Sequence, residues 1–280
     1  MKRTKSFTNN EYLLYLIATP IGNLKEISAR ALEIFNEMDI IAAEDTRNTK
    51  QLLLNYGIKK ELFSLREHNE IEASNYLINL IKNGKKVAYV SDAGYPGISD
   101  PGALLVRECL KNDIAVSTIS GSSAFINALV ASGLETDHFY YYGFLPAKEN
   151  EARDILKNLV QIKDTLLFYE SPHRIFKTLQ LMLEELGNRK IVLARELTKI
   201  NEEYIRGNIQ ELLEIDPATI KGEMVILVEG NKNQSEINDD EISEKIGYLL
   251  SFGLSKKDVV EIINKFYKLN KNYIKKLINF

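Results

Sequence analysis

Cysteine is nearly absent. Cys109 stands alone in 280 residues, so no internal disulfide can form and no cysteine-rich metal site can be built. Its place inside a helical pattern marks it as a packing residue, and such a chain suits a reducing cytosol. Histidine is scarce too: His68, His138 and His173 show no zinc-ligand spacing. No apolar run approaches the roughly 20 residues that span a bilayer. The opening MKRTKSFTNNEY has a basic head without an apolar stretch behind it, so neither export nor membrane insertion is expected. Missing as well are G-x-G-x-x-G after the first strand, G-x-x-x-x-G-K-[ST] and G-x-S-x-G, which removes support for ordinary dinucleotide, P-loop and hydrolase readings. Net charge is only −3, so a polyanionic partner would have to meet a local basic surface.

What is present is a 45% apolar, 27% charged chain, long enough for two modest domains and a small third. Apolar runs of strand length at 12–18, 39–43, 61–65, 86–90 and 114–119 alternate with amphipathic segments. That alternation predicts an α/β unit with a mostly parallel sheet. After Gly133 strands follow one another with fewer helices, at 139–144, 165–169, 190–194, 203–206 and 223–229. The expectation there is a mixed-sheet α+β domain with antiparallel pairs. Residues 230–240 read as a polar linker, and three short helices fit 241–252, 255–266 and 270–279, with Ser255 as an N-cap. The domains are thus expected at 11–122, 123–231 and 241–280. Seven lysines against two acids from Lys256 onward, Lys256 and Lys257 among them, suit either a solvated face or a helix-turn-helix-like nucleic-acid module.

Residues 90–102, VSDAGYPGISDPG, form the most informative stretch. They join a strand to a helix, for which Asp100 and Pro101 supply N-cap and first-turn signals. A bare connection needs about 2–6 residues. An oversized loop of small residues at a strand's C-terminal end lets backbone groups approach a ligand closely, although a turn-rich connection would look similar. Four other polar clusters follow strands: Pro20 and Gly22, Glu44 and Asp45, His68 and Asn69, and Gly121 to Ser123. In an open parallel sheet all five meet at one rim, where ligands bind. In the second domain the runs YESPHR and ARELTK each set a carboxylate beside an arginine at a strand end. They are either structural ion pairs or a surface for a phosphorylated substrate.

The runs LYLIATPIGNL, IIAAEDTRNTKQLL, REHNE, VSDAGYPGISDPG, FYESPHR, ARELTK, EEYIRG and KGEMVILVEG occur in one order from about residue 12 to 230. Together they closely resemble the ribosomal RNA small subunit methyltransferase I family, within the tetrapyrrole methylase fold. The resemblance implies a dimeric enzyme that uses S-adenosyl-L-methionine to methylate the ribose 2′-hydroxyl of a cytidine in the decoding region of 16S rRNA. Its cofactor would lie between the two domains, against Pro20–Gly22, Ser91, Asp92, Ala93, Gly94, Ile98, Ser99, Ser122, Ser123 and Ala124. Tyr169, Lys221, Gly222 and Glu223 would complete the cleft. Tyr95, Gly97 and Ser120 depart from the pattern, where threonine, a large aliphatic and proline are common. A ribose hydroxyl is a poor nucleophile near neutral pH, so a base is expected. Glu170 and Glu196 are the first candidates, with His173 and Asp45 behind them. Arg174, Arg195 and Lys199 would hold phosphates, and Arg47, His68, Lys256 and Lys257 would also contact RNA. A tetrapyrrole methyltransferase of the same fold is the alternative, and a non-enzymatic nucleic-acid binder is a third.

Overall fold

Short apolar runs, each followed by an amphipathic segment, build the first sheet. In the computed structural model, which describes residues 13–232, 239–267 and 269–278, they become β1 (Leu13–Ile17), α1 (Ala29–Glu37), β2 (Ile40–Ala43), α2 (Thr46–Asn55) and β3 (Glu61–Ser64). There follow α3 (Glu70–Lys82), β4 (Val87–Val90), α4 (Ala103–Lys111), β5 (Ala115–Ile119) and α5 (Ala124–Ser132). Tyr12, expected to open the first strand, lies outside the described residues. The five strands are all parallel, in the order β3-β2-β4-β1-β5. Side chains alternate between two faces. Leu14, Leu16, Val87 and Tyr89 pack under α3 and α4, while Ile17, Ile41, Ala88 and Val90 pack under α1 and α2. Cys109 is fully buried in the first of these cores, where burial pushes its thiol up to about 12. Packing is its role.

The neighbours β1 and β4 are followed by helices on opposite faces, α1 and α4. This is the switch point of an open parallel sheet, where the loops diverge and leave a crevice. The start of α4 departs from expectation. Asp100 is not its N-cap; Gly102 is, with φ at 123°. The amides of Gly102 and Leu104 donate to Glu70 Oε1 at 2.9 and 3.1 Å, so a carboxylate from α3 replaces a local cap. Replacing Glu70 with alanine should lower stability by about 1–2 kcal/mol in urea unfolding, and Glu70→Gln, which keeps one acceptor, should lose less. Asp100 is thereby released for other work.

The second sheet is formed by β6 (Phe139–Phe144), β7 (Thr165–Glu170), β8 (Lys190–Arg195), β9 (Glu203–Asn208) and β10 (Met224–Val228), in the order β6-β7-β10-β8-β9. Only β6 and β7 are parallel. Helices α6 (Glu149–Leu159), α7 (Ile175–Leu186) and α8 (Ile209–Leu213) cover one face, and α5 covers the other through Ala128 and Leu129. Because α5 grows from the last strand of the first sheet and packs on the second, it ties the two together.

Two compact units emerge, residues 1–230 and 231–280. The second holds α9 (Asp239–Ser251), α10 (Lys256–Tyr267) and α11 (Lys271–Leu277) around its own core of Ile242, Ile246, Val259, Val260, Ile263, Ile274 and Ile278. Ser255 Oγ accepts from the Asp258 amide at 3.2 Å, the cap its sequence implies. Most of the expected linker, residues 233–238, lies outside the described residues.

Candidate active site

Loops from the C-terminal rim of the first sheet face the strand ends of β6, β7, β8 and β10 across a cavity of about 350 Å³, within the roughly 300–1,000 Å³ of small-molecule sites. The loop after β4 is clamped to that after β1: the amides of Thr19 and Gly94 each donate to the other's carbonyl, at 2.9 and 3.0 Å. Thr19 Oγ1 also donates to the Ser91 carbonyl. Gly94 has φ at 74°, a region open to glycine at no steric cost. Ser99 lies in the same left-handed region, at 59°, and its hydroxyl meets Tyr141 Oη at 2.6 Å. A bulge between Tyr141 and Gly143 in β6 lets the chain approach Ser99 closely. Tyr95, whose departure from the family pattern left its contact open, accepts from the Gly121 amide through its hydroxyl. It thereby bridges the loops after β4 and β5.

Twelve of the sequence-derived site residues share the cavity wall: Ile21, Ala93, Gly94, Ile98, Ser99, Ser123, Ala124, Tyr169, Glu170, Glu196, Lys199 and Glu223. Phe125, Phe144 and Val225, to which the sequence assigns no site role, also line it, as do Tyr95, whose contact the sequence left open, and Asp100, which it reads as an N-cap. Phe125, Tyr141, Phe144 and Tyr169 form an aromatic wall with ring centroids 4.5–5.4 Å apart. Burial raises the Tyr169 and Tyr141 phenols, which stay protonated donors.

Charge in the cavity is mainly acidic. Asp100 is half-buried, and desolvation pushes its carboxyl up to about 6. Repulsion from Glu44 adds to this, a hydrogen bond with Ser91 opposes it, and Asp92 and Glu223 contribute further repulsion. Burial and then Asp92 raise Glu44 as well. Glu196 adopts φ of 50° and accepts from Lys199 Nζ at 3.0 Å. Thr198, two residues on, is also left-handed, at 68°, and its buried hydroxyl has no partner. Strain of this kind gathers where a loop is over-determined by its neighbours. Here the neighbour is Gly22, where a Cβ would fall 2.7 Å from Lys199 Cγ and 3.0 Å from the Leu197 carbonyl oxygen.

The remaining sequence-derived residues lie around this wall. Pro20 and Gly22 form the loop that meets Leu197–Lys199. Ser91 Oγ donates to the Ala93 carbonyl, and Ser122 Oγ donates to Glu26 Oε2. Asp92 accepts from the Asp45 amide and from Asn48 Nδ2, bolting the first turn of α2 to the cavity loop. Asp45 caps α2 and pairs with Arg47, whose guanidinium holds its carboxyl well below the usual range. Glu170 is buried and already engaged: it accepts from the Ser171 amide and Thr178 Oγ1, with Arg174 3.6 Å away. Arg174 donates to the carbonyls of Leu145 and Pro146. Arg195 pairs across the strands with Glu203 at 2.5 Å, not with its neighbour Glu196, and donates to the Lys221 carbonyl. Lys221 lines a shallower polar groove beside the cavity, and Gly222 backs the Glu196 side chain. His173 is exposed in a turn and His68 in a short 3-10 helix, neither lining the cavity, and Lys256 and Lys257 are exposed on the first turn of α10. Among the described residues no group of three or more His, Cys, Asp or Glu could hold a metal, and no helix is long and apolar enough to cross a membrane.

Comparison with known proteins gives this geometry a family. A family model for tetrapyrrole (corrin/porphyrin) methylases matches residues 13–213. The ribosomal RNA small subunit methyltransferase I of Haemophilus influenzae is 48% identical over 268 residues, covering 93% of this chain and 94% of its own length. This chain belongs to the ribosomal RNA small subunit methyltransferase I family. The family member from Streptococcus pyogenes serotype M1 is 41% identical and covers 97% of this chain and 96% of itself, so the shared region takes in the C-terminal helices. Among solved structures, the methyltransferase CobJ (TM-score 0.60, 17% identity) covers 79% of this chain and 94% of itself. Diphthine synthase (TM-score 0.60, 18% identity) covers 78% and 89%. These two show the fold, a parallel N-terminal sheet joined to a mixed second sheet as in tetrapyrrole methylases.

Proposed function

We propose that this protein is an S-adenosyl-L-methionine-dependent methyltransferase acting on the ribose 2′-hydroxyl of a cytidine in the decoding region of 16S rRNA. The observation that carries the reading is the cavity itself, set between the switch-point loop and the second sheet in a chain up to 48% identical to proteins named for small-subunit rRNA methylation. The cavity residues suit the cofactor. Ile98, Met224 and Val225 offer apolar surface for a base, Ser99 and Ser123 offer hydroxyls, and Glu223 offers a carboxylate for a cationic ligand. Bound there, the cofactor supplies an already activated methyl group. The protein's task is then alignment, exclusion of water and removal of one proton.

Asp100 takes the role of general base in this reading: it lines the cavity, and burial there pushes its carboxyl up to about 6. Glu196, fixed by Lys199, holds the incoming ribose, and Glu170 braces the end of β7 through Thr178 and Ser171. Arg174, Arg195 and Lys199 meet flanking phosphates at the second-sheet edge. The bodies at 11–122 and 123–231 hold the cofactor between them, and 241–280 grips RNA through Lys256 and Lys257. The enzyme works as a cytoplasmic homodimer on the small ribosomal subunit.

Methyl incorporation should be compared in assembled small subunits lacking the modification, naked 16S rRNA and a tetrapyrrole precursor. Incorporation into RNA at a ribose is expected; incorporation only into the tetrapyrrole would replace this function with the alternative. Deleting residues 235–280 should weaken RNA binding at least tenfold by filter binding while leaving cofactor affinity unchanged, since that unit has its own core.

A further inference from the structure

Outside the cavity, positive charge gathers along α2 and the turn that follows it. A groove of about 700 Å³ is lined by Thr46, Arg47, Lys50, Lys59 and Lys60, over an apolar floor that includes Leu54. Four cations and no carboxylate line it, in a chain of net charge −3. Arg47, Lys50 and Leu54 fall on one helical face, by their spacing of three and four. Lys60 is committed: its ammonium donates to the carbonyls of Asn36 and Met38 at the end of α1. Arg47 is bound to Asp45 on one side, yet its side chain is 84% exposed and keeps donors for a second acceptor. Lys50 and Lys59 are exposed.

We infer that this groove is a docking track for the sugar-phosphate backbone of the RNA substrate, on the side of the target nucleotide away from the second sheet. The inference rests on the rRNA reading above. Charge complementarity favours a polyanion, and the exposed Leu54 between cations suits the apolar face of a sugar or base. The groove is also joined to the chemistry. Its first turn, Asp45 to Asn48, is hydrogen-bonded to Asp92, the residue directly before the cavity-lining Ala93 and Gly94. A strand presenting its ribose to the cavity can therefore run onto α2. Asp92, Asp45 and Glu44 lie at the rim between them, so phosphate contacts begin at Arg47 and continue to Lys50 and Lys59. Occupancy of the track would press on Asp92 and so on the cofactor loop.

The test is the full-length double variant Lys50→Glu/Lys59→Glu beside Lys85→Glu/Lys86→Glu, which reverses two exposed charges ahead of β4 that do not line the groove. Binding of a labelled 20-nucleotide single-stranded RNA, of naked 16S rRNA and of assembled small subunits is measured from 50 to 200 mM salt, with cofactor affinity measured on each protein. Lys50→Glu/Lys59→Glu should bind both RNAs at least tenfold more weakly at low salt, with the slope of log K against log salt shallower by roughly 1.4. Cofactor affinity should be unchanged, and the second variant should match the parent. Equal binding by the groove variant and the parent would overturn the inference, as would equal losses in both variants. A defect seen only with protein-containing small subunits would reassign the groove to an acidic protein segment. If the unaltered chain binds no RNA at all, the underlying rRNA reading fails instead.

Discussion

Replacing Asp100 with asparagine should leave a protein that is folded, more stable at neutral pH and nearly inactive. Loss of a general base reduces turnover by about 10²–10⁴-fold, and the rise of kcat with pH through about 6 that Asp100 confers should vanish with it. The stability change follows from the direction of the shift. An aspartate raised from 3.8 to about 6 on folding makes the native state the tighter proton binder between those values. Stability therefore falls as pH rises through roughly 4 to 6 and is level above. Asparagine removes this penalty, so the variant should gain on the order of 1 kcal/mol at pH 8, reduced from the full shift because the group is only half-buried, and should gain nothing at pH 4. Thermal melts at the two pH values, with single-turnover rates across pH 5–9, read both effects. A variant with parental turnover and an unaltered pH profile would remove Asp100 from the chemistry.

Gly222→Ala should have the next largest effect, through a different route. Gly222 sits at φ 83°, and an added Cβ would fall within 2.6 Å of Glu196 Cγ and closer still to its carboxylate. Left-handed backbone costs a residue bearing a Cβ about 1–2 kcal/mol, and the Glu196 side chain must leave its place against Lys199. Urea unfolding should show a loss of about 1–3 kcal/mol. At concentrations where the protein is fully folded, kcat/KM for RNA should fall by at least about 10²-fold, as expected when a positioning contact moves by an ångström. Glu196→Gln keeps the shape of the side chain and should retain the stability while losing part of the activity. Full activity in Gly222→Ala would mean that Glu196 has no part in holding the ribose.

Much of this arrangement is legible in the chain because parallel sheets obey a strong rule. Once the runs at 13–17, 40–43, 61–64, 87–90 and 115–119 are taken as parallel strands, the residues after them share one rim, and the glycine-rich 90–102 loop marks the crevice. What escaped was non-local. SDPG reads as a helix start, yet the acceptor that caps α4 is Glu70, 32 residues earlier, and this frees Asp100 to face the cavity. Arg195 and Glu196 are adjacent in sequence, but Arg195 ends β8 while Glu196 turns left-handed beyond it, and the β8–β9 register places Glu203 opposite Arg195. Tyr95 stands where the family commonly has threonine, and only the fold shows its hydroxyl reaching the Gly121 amide. The Ser99–Tyr141 contact needs a bulge whose position no local pattern announces.

The most direct measurement is calorimetric titration of S-adenosyl-L-methionine into the full-length protein, with and without 16S rRNA, beside Ala124→Phe, which places a phenyl ring in the wall of the cavity. The expected result is one cofactor per chain with a dissociation constant somewhere between about 1 µM and 1 mM, the usual range for substrates, and no detectable heat from the blocked variant. Absence of uptake by the folded parent under both conditions, or equal uptake by parent and Ala124→Phe, would contradict a methyl-donor site in this cleft.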